Sequence, residues 1–257
     1  VQTPGSYLDT AWPRVLAHRG LAVSAPENTL LAFQRAFEVG ATHLETDVHT
    51  SRDGVAIISH DPDLARLVGR RQRINELSAE QLLDIDLGHG QSFCTLEDAL
   101  TTFPTARFNI DVKDAGSIAS VASTVLAADA VGRVLITSFS ERRRAAAVAL
   151  LPGVVSSASA SIVVRAILGA RTGLRRNVVR SLAGLVALQI PERSGGIQLV
   201  TPRVIAAVHD AGLEVHVWTV NDPAAMRRLF ALGVDGIVTD RADIAAHVLR
   251  RDGESGA

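Results

Sequence analysis

The chain has 257 residues, 47% of them apolar, with 26 basic and 27 acidic side chains. Apolar residues spread along the whole length exclude a disordered polymer, and the near-neutral charge excludes the basic footprint of a nucleic-acid binder. A lone cysteine, Cys94, excludes an intrachain disulfide and suits a reducing compartment, where it reads as a small buried hydrophobe.

Residues 1–6 show neither the basic nor the apolar segment of a leader peptide. The most apolar stretch, 145–170, is interrupted by Pro152-Gly153, a run of serines and Arg165, too broken to span a bilayer. The expectation is a soluble cytoplasmic protein with no stable membrane insertion and no nucleic-acid partner.

In chain order, a first strand at 15–18 runs into His18-Arg19-Gly20. A helix at 29–39 follows, with Asn28 as its expected N-cap and Gly40 closing it in the left-handed conformation. The second strand, 43–48, carries Glu45 and Asp47. Strand side chains alternate faces, so these two carboxylates point the same way. Ser51-Arg52-Asp53-Gly54 reads as a turn that returns the chain along 55–59 to His60-Asp61. The stretch 49–94 breaks the rhythm and reads as an insertion capping one rim, with a small helix at the capping box Ser78-Ala79-Glu80-Gln81. A helix starting at Thr95-Leu96-Glu97-Asp98 resumes the main pattern.

Further strands are expected at 108–112, 134–138, 154–157, 185–189, 214–220 and 235–239. Helices are expected at 117–128, 141–150, 202–211, 223–232 and 242–250, with none assigned between 157 and 185. Gly212 and Gly233 stop two of them. Eight strands alternating with helices in this length predict a TIM (β/α)8 barrel in one domain, 1–257. The competing open sheet loses ground because no Gly-x-Gly-x-x-Gly follows the first strand.

Chemistry in such a barrel gathers at the C-terminal strand ends. There the pattern places His18 and Arg19, then Glu45 and Asp47, then Asp111 and Lys113, with Gln189, Trp218 and Asp240 beyond. Glu45, Asp47 and Asp111 together suit a hard divalent ion, Mg2+ or Ca2+, better than Zn2+; ion pairing with neighbouring cations is the other reading. Arg19 can hold a phosphate through paired hydrogen bonds, Gly20 can let a ligand approach, and Lys113 can add a point charge. Trp218 offers a ring for an apolar substrate edge. His18 and His60 are either structural or proton-transfer groups. The remaining histidines read as structural or solvated, and Arg142-Arg143-Arg144 as a solvated helix start.

The ordered set His18-Arg19-Gly20, Pro26-Glu27-Asn28-Thr29, Glu45-Thr46-Asp47-Val48, His60-Asp61, Val217-Trp218-Thr219-Val220-Asn221 and Gly236-Ile237-Val238-Thr239-Asp240 resembles the glycerophosphodiester phosphodiesterases. The resemblance implies metal-dependent hydrolysis of a small-molecule glycerophosphodiester to sn-glycerol 3-phosphate and an alcohol. It implies His18 and His60 as the acid–base pair, Glu45 and Asp47 as metal ligands, and Arg19 and Lys113 as phosphate contacts. This chain departs from the family in carrying Asp111 where a glutamate is usual. Two alternatives follow from the same residues. One is a lysophospholipase D, which needs an apolar groove in the cap, from Leu64, Leu67, Val68 and Leu77. The other is a barrel that binds glycerol phosphate without turnover. Oligomeric state is not legible.

Overall fold

β-Branched runs that are apolar on both faces pair best in the middle of a parallel sheet covered by helices. The computed structural model, which describes residues 7–254, builds eight such strands. They are β1 (Arg14–His18), β2 (His43–Thr50), β3 (Phe108–Val112), β4 (Val134–Thr137), β5 (Val155–Ser156), β6 (Ala187–Pro191), β7 (Glu214–Trp218) and β8 (Gly236–Thr239). Parallel pairing runs in the order β5-β4-β3-β2-β1-β8-β7-β6. The ring closes between β5 and β6, where Ala158 N donates to Ala187 O at 3.1 Å and Val186 N to Ser156 O at 3.0 Å. This is the expected (β/α)8 barrel. Residues 1–6, read above for a leader segment, lie outside the described residues.

The outer helices are α1 (Leu30–Glu38), α2 (Leu96–Thr102), α3 (Ser117–Ala127), α4 (Glu141–Ala149), α5 (Ala160–Thr172), α6 (Arg175–Leu182), α7 (Pro202–His209), α8 (Pro223–Ala231) and α9 (Ala242–Glu254). Among the described residues no helix is long and apolar enough to cross a membrane. Helices α5 and α6 occupy the segment left unassigned above. Ile162, Ala166 and Ala170 of α5 are buried, yet Val164 and Leu168 on another face are exposed. Apolar residues on two faces blur the single stripe by which an amphipathic helix is read. The sixth strand begins two residues later than expected, which puts Gln189 inside β6 rather than at its end.

Residues 51–95 form the cap. The short strand Ala56–Ile58 returns antiparallel to β2, and the helix Ala79–Leu83 carries the expected Ser78–Gln81 capping box. Ile57, Leu64, Ile74, Leu82, Ile85 and Phe93 pack a small core of the cap's own. Leu67, Val68 and Leu77 pack against that core, so the residues considered for an apolar groove hold the cap together instead.

Asn28 does not cap α1. Thr29 does, accepting from Ala32 N, while Asn28 adopts a left-handed φ of 57° and turns into the barrel mouth. Gly40, at φ 94°, closes the same helix as expected.

At the opposite, N-terminal end of the barrel, Glu214 joins Arg14 at 2.8 Å and His216 Nε2 at 2.9 Å. Gly236 keeps room for this cluster, because a Cβ there would lie 2.8 Å from Arg14 Cβ and 2.9 Å from His216 Cδ2. Burial works to raise the Glu214 pKa, but the hydrogen bonds from His216 and Arg14 outweigh it and bring it to about 2. A depressed carboxylate stabilises the fold above its unfolded value and loses that contribution as pH falls. Glu214→Gln is therefore expected to flatten the decline of unfolding free energy between about pH 4.5 and 2, read by chemical denaturation across pH. A slope unchanged from wild type would contradict this.

Candidate active site

The C-terminal strand ends surround a cavity of about 620 Å³. His18 ends β1 and lines it. Its Nδ1 lies 2.6 Å from Asp240 Oδ1 beyond β8. Asn221 fixes Asp240 in turn, donating to Oδ2 at 2.7 Å and accepting from the Asp240 amide at 2.9 Å. Burial works against charge on His18, but the hydrogen bond to Asp240 and the charge of Glu45 prevail, so its pKa is raised. Asp240 is lowered, first by the same hydrogen bond.

Asp47 is the most connected group of the site and is only 2% exposed. Lys113 Nζ lies 2.7 Å from its Oδ1, and Asn28 Nδ2 donates to Oδ2 at 3.3 Å. Asn28 is itself held by Thr46 Oγ1 at 2.8 Å. Arg19 Nε comes within 3.4 Å of the same Oδ2 without forming a hydrogen bond. Strand register produces this convergence: Asp47 pairs with Asp111 across β2 and β3, and His18 with Glu45 across β1 and β2.

Arg19 adopts a left-handed φ of 56°. Its amide donates to Glu45 Oε2 at 3.1 Å, while its guanidinium pairs with Glu27 at 2.9 Å. Gly20, at φ 82°, is the hinge of this turn. A Cβ on Gly20 would sit 2.6 Å from the Ala32 backbone. The glycine is thus needed for close packing on α1.

On the cap side, His60 Nδ1 lies 2.7 Å from Asp61 Oδ1. Arg66 links Asp61 to Glu27, which reaches Arg19. A continuous chain of ion pairs therefore runs from His60 to Asp47. Behind it, His49 pairs with Asp114 at 2.8 Å and its Nε2 meets the His60 carbonyl at 3.3 Å. Both candidate histidines are alike: each Nδ1 is engaged by an aspartate, and both rings line the cavity.

The connected network holds five carboxylates (Glu27, Glu45, Asp47, Asp61, Asp111) against three permanent cations (Arg19, Arg66, Lys113). Burial, then the charges of Asp47 and Asp111, raise the pKa of Glu45. Burial also raises Asp111, against the pull of Lys113. Lys113 stays strongly protonated because Asp47 and Asp111 outweigh its burial. Two buried polar atoms at this rim lack a hydrogen-bond partner: Arg19 Nε, a donor, and Asp111 Oδ1, an acceptor. Buried polar groups are rarely left unpaired. This pair invites one anion and one cation.

Among the described residues, no three His, Cys, Asp or Glu side chains are already gathered closely enough to hold a metal ion. Lys113 Nζ lies between Asp47 and Asp111, 2.7 and 2.9 Å from them. By charge and donor type, however, Glu45, Asp47 and Asp111 fit a hard divalent cation, which would match the network's surplus of two carboxylates.

His18, Arg19, Glu45, Asp47, His60, Asp111, Lys113 and Trp218 all line the one cavity. Trp218 stands at its apolar side, edge-on to Phe139 with ring centroids 6.0 Å apart. Sequence reasoning missed the orienting roles of Glu27, Asn28, Asp61 and Arg66. A carboxylate directly after His60 was the available signal for Asp61. Arg143 and Arg144 are not a plain solvated start: Arg143 Nε donates to Ser138 Oγ at 3.1 Å, and Arg144 pairs with Glu141 at 2.6 Å. Cys94 is buried as expected, with its thiol pKa pushed up chiefly by burial.

Residues 18–244 match the family model described as the glycerophosphoryl diester phosphodiesterase family. The chain is 42% identical over 241 residues to probable glycerophosphodiester phosphodiesterase 2 of Mycobacterium tuberculosis H37Rv, covering 93% of this chain and 91% of that one. It superposes on the crystal structure of a glycerophosphodiester phosphodiesterase from Agrobacterium tumefaciens C58 with a TM-score of 0.76 at 27% identity, covering 92% of this chain and 99% of that one. An Oleispira antarctica phosphodiesterase, solved with the product sn-glycerol-3-phosphate, shares the fold with a TM-score of 0.76 at 22% identity, covering 93% and 97% of the two chains.

The His18–Asp240 contact makes a direct prediction. Asp240→Asn removes the negative partner, so the His18 imidazole is expected to titrate at lower pH in an NMR titration. An unchanged midpoint would contradict the geometry.

Proposed function

The chain belongs to the glycerophosphoryl diester phosphodiesterase family and is an enzyme of that class, and we propose that it splits a glycerophosphodiester into sn-glycerol 3-phosphate and an alcohol by histidine acid–base catalysis, with the whole chain acting as one domain. The observation that carries the reading is the pair of buried orphan groups, Arg19 Nε and Asp111 Oδ1, beside two histidines whose Nδ1 atoms are held by aspartates.

A phosphodiester is an anion that repels nucleophiles and has a poor leaving group. Arg19 meets the first difficulty, because its Nε, which faces Asp47 at 3.4 Å without forming a hydrogen bond, can donate to a non-bridging oxygen. Lys113 adds charge from the facing strand. The family generally uses a divalent metal, and Glu45, Asp47 and Asp111 would hold it here, Mg2+ or Ca2+ by their hard oxygen donors. When bound, it would supply charge that offsets the excess of carboxylates around the phosphoryl group. Asp111 is shorter than glutamate by one methylene and is already engaged by Lys113 at 2.9 Å.

The histidines meet the second difficulty. An Nδ1–H donated to aspartate leaves Nε2 as the working nitrogen. His18, made more basic by Asp240, enters as imidazolium and protonates the departing alkoxide. His60 takes the proton of the attacking hydroxyl, either the substrate's glycerol 2-hydroxyl or water. Their aspartates keep both rings oriented through the cycle.

General acid–base help is worth about 10²–10⁴ in rate per group. His18→Ala and His60→Ala are each expected to lower kcat on glycerophosphocholine by about that factor, with the melting temperature kept, in an assay of released glycerol 3-phosphate. Full turnover by both variants would overturn the assignment.

A further inference from the structure

Charge is distributed unevenly along this chain. Residues 142–191 carry eight arginines and no lysine, aspartate or glutamate, a net charge of +8. Against −1 for the whole chain, this leaves −9 on the other 207 residues. The segment runs from α4 through β5, α5 and α6 to the last residue of β6. Three of its arginines serve the fold: Arg143 donates to Ser138, Arg144 pairs with Glu141, and Arg175 pairs with Asp210. Arg165, Arg171, Arg176 and Arg180 are exposed and form no salt bridge among the described residues.

Helix α5 presents this charge together with apolar surface. Its exposed positions include Val164, Arg165, Leu168 and Arg171, the spacing of one helical face. Ile162, Ala166 and Ala170 pack the barrel from another face. Val164 and Leu168 are 57% and 58% exposed. Phe139 and Ile197, 60% and 49% exposed, border the same cavity mouth as Val164, Leu168 and Arg171. Exposed apolar residues scattered singly mean little, but a group on one rim marks an interaction surface. The cap, three strands round the ring from β5, has the opposite character: residues 51–95 hold seven acidic and five basic side chains.

We propose that the α5 rim is a docking surface for an anionic lipid bilayer, with Val164 and Leu168 in the headgroup layer and Arg165 and Arg171 at the lipid phosphates. Charge complementarity selects this occupant. Arginine lays its aliphatic stem along apolar surface and reaches a phosphate with its guanidinium, so one face serves both layers of a lipid interface. A second copy of the chain fits less well, because a two-fold contact sets arginine against arginine. Nucleic acid matches the charge but holds Val164 and Leu168 against phosphates. At 13 residues α5 is too short to cross a bilayer, so it lies on the surface. The proposal stands apart from the hydrolytic reading, since it uses neither histidine and none of the carboxylates.

The test is cosedimentation with vesicles of diacyl phosphatidylcholine, alone or mixed with diacyl phosphatidylglycerol. Binding to the mixed vesicles is expected, weakening as salt is added, with far less on the neutral ones. Each arginine near an anionic surface strengthens partitioning about fivefold, so the double variant Arg165→Gln, Arg171→Gln is expected to weaken binding about 25-fold at an unchanged melting temperature. Leu168→Gln is expected to weaken it about tenfold. The double variant Arg70→Gln, Arg71→Gln, exposed on the cap, is expected to bind as wild type does. Failure to bind the mixed vesicles, equal binding to both kinds, or binding that no α5 variant weakens would overturn the proposal. Release from the vesicles by saturating sn-glycerol 3-phosphate would place the lipid in the catalytic cavity and overturn it. A dimer abolished by Leu168→Gln, or DNA bound as tightly as the mixed vesicles, would assign the face to another partner and also overturn it.

Discussion

Asp47 is the constraint on which the rim depends. An ionised carboxylate that is almost wholly buried is tolerable only if cations and donors surround it, since an uncompensated buried charge costs several kcal/mol. Here its partners come from three places in the chain: Arg19 from the end of β1, Asn28 from the approach to α1, and Lys113 from the end of β3. Satisfying one carboxylate therefore fixes three segments relative to one another. The left-handed backbone at Arg19 and at Asn28 is the local cost of turning those side chains inward.

Around that hub the site is built twice. His18 rests on Asp240 and Asn221 from the barrel, while His60 rests on Asp61 and Arg66 from the cap. The ion-pair chain through Glu27 joins the cap to the C-terminal end of β1, so the position of His60 is coupled to that of Arg19. The cap holds its own small core, which lets it present His60 as a firm wall rather than a loose loop. The network still carries more carboxylates than cations. That imbalance suits a site meant to receive positive charge together with its anionic substrate.

Much of this was legible in the sequence. The eight strands followed from β-branched runs between helical patterns, and alternation along β2 put Glu45 and Asp47 on one face. Register could not be read from the chain, so the direct pairing of Asp47 with Asp111 and its consequence for Lys113 emerged only in three dimensions. Asn28 sits beside a better cap, Thr29, and local propensity alone could not say which residue would be drawn into the mouth. Gly20 stands out in the sequence, but that its close neighbour is the backbone of α1 is visible only in the fold. Helix α5 was missed because its two apolar faces answer to different neighbours, the barrel and the cavity.

We propose that the carboxylates around Asp47, now bridged by Lys113, take up a divalent cation beside the phosphate position. Titrating the protein with Mn2+ and following the free-ion electron paramagnetic resonance signal tests it directly, with wild type and Asp47→Asn compared at equal melting temperature. One tightly held ion per wild-type chain is expected, with loss of that binding in the variant. Equal Mn2+ binding by the two proteins would contradict it.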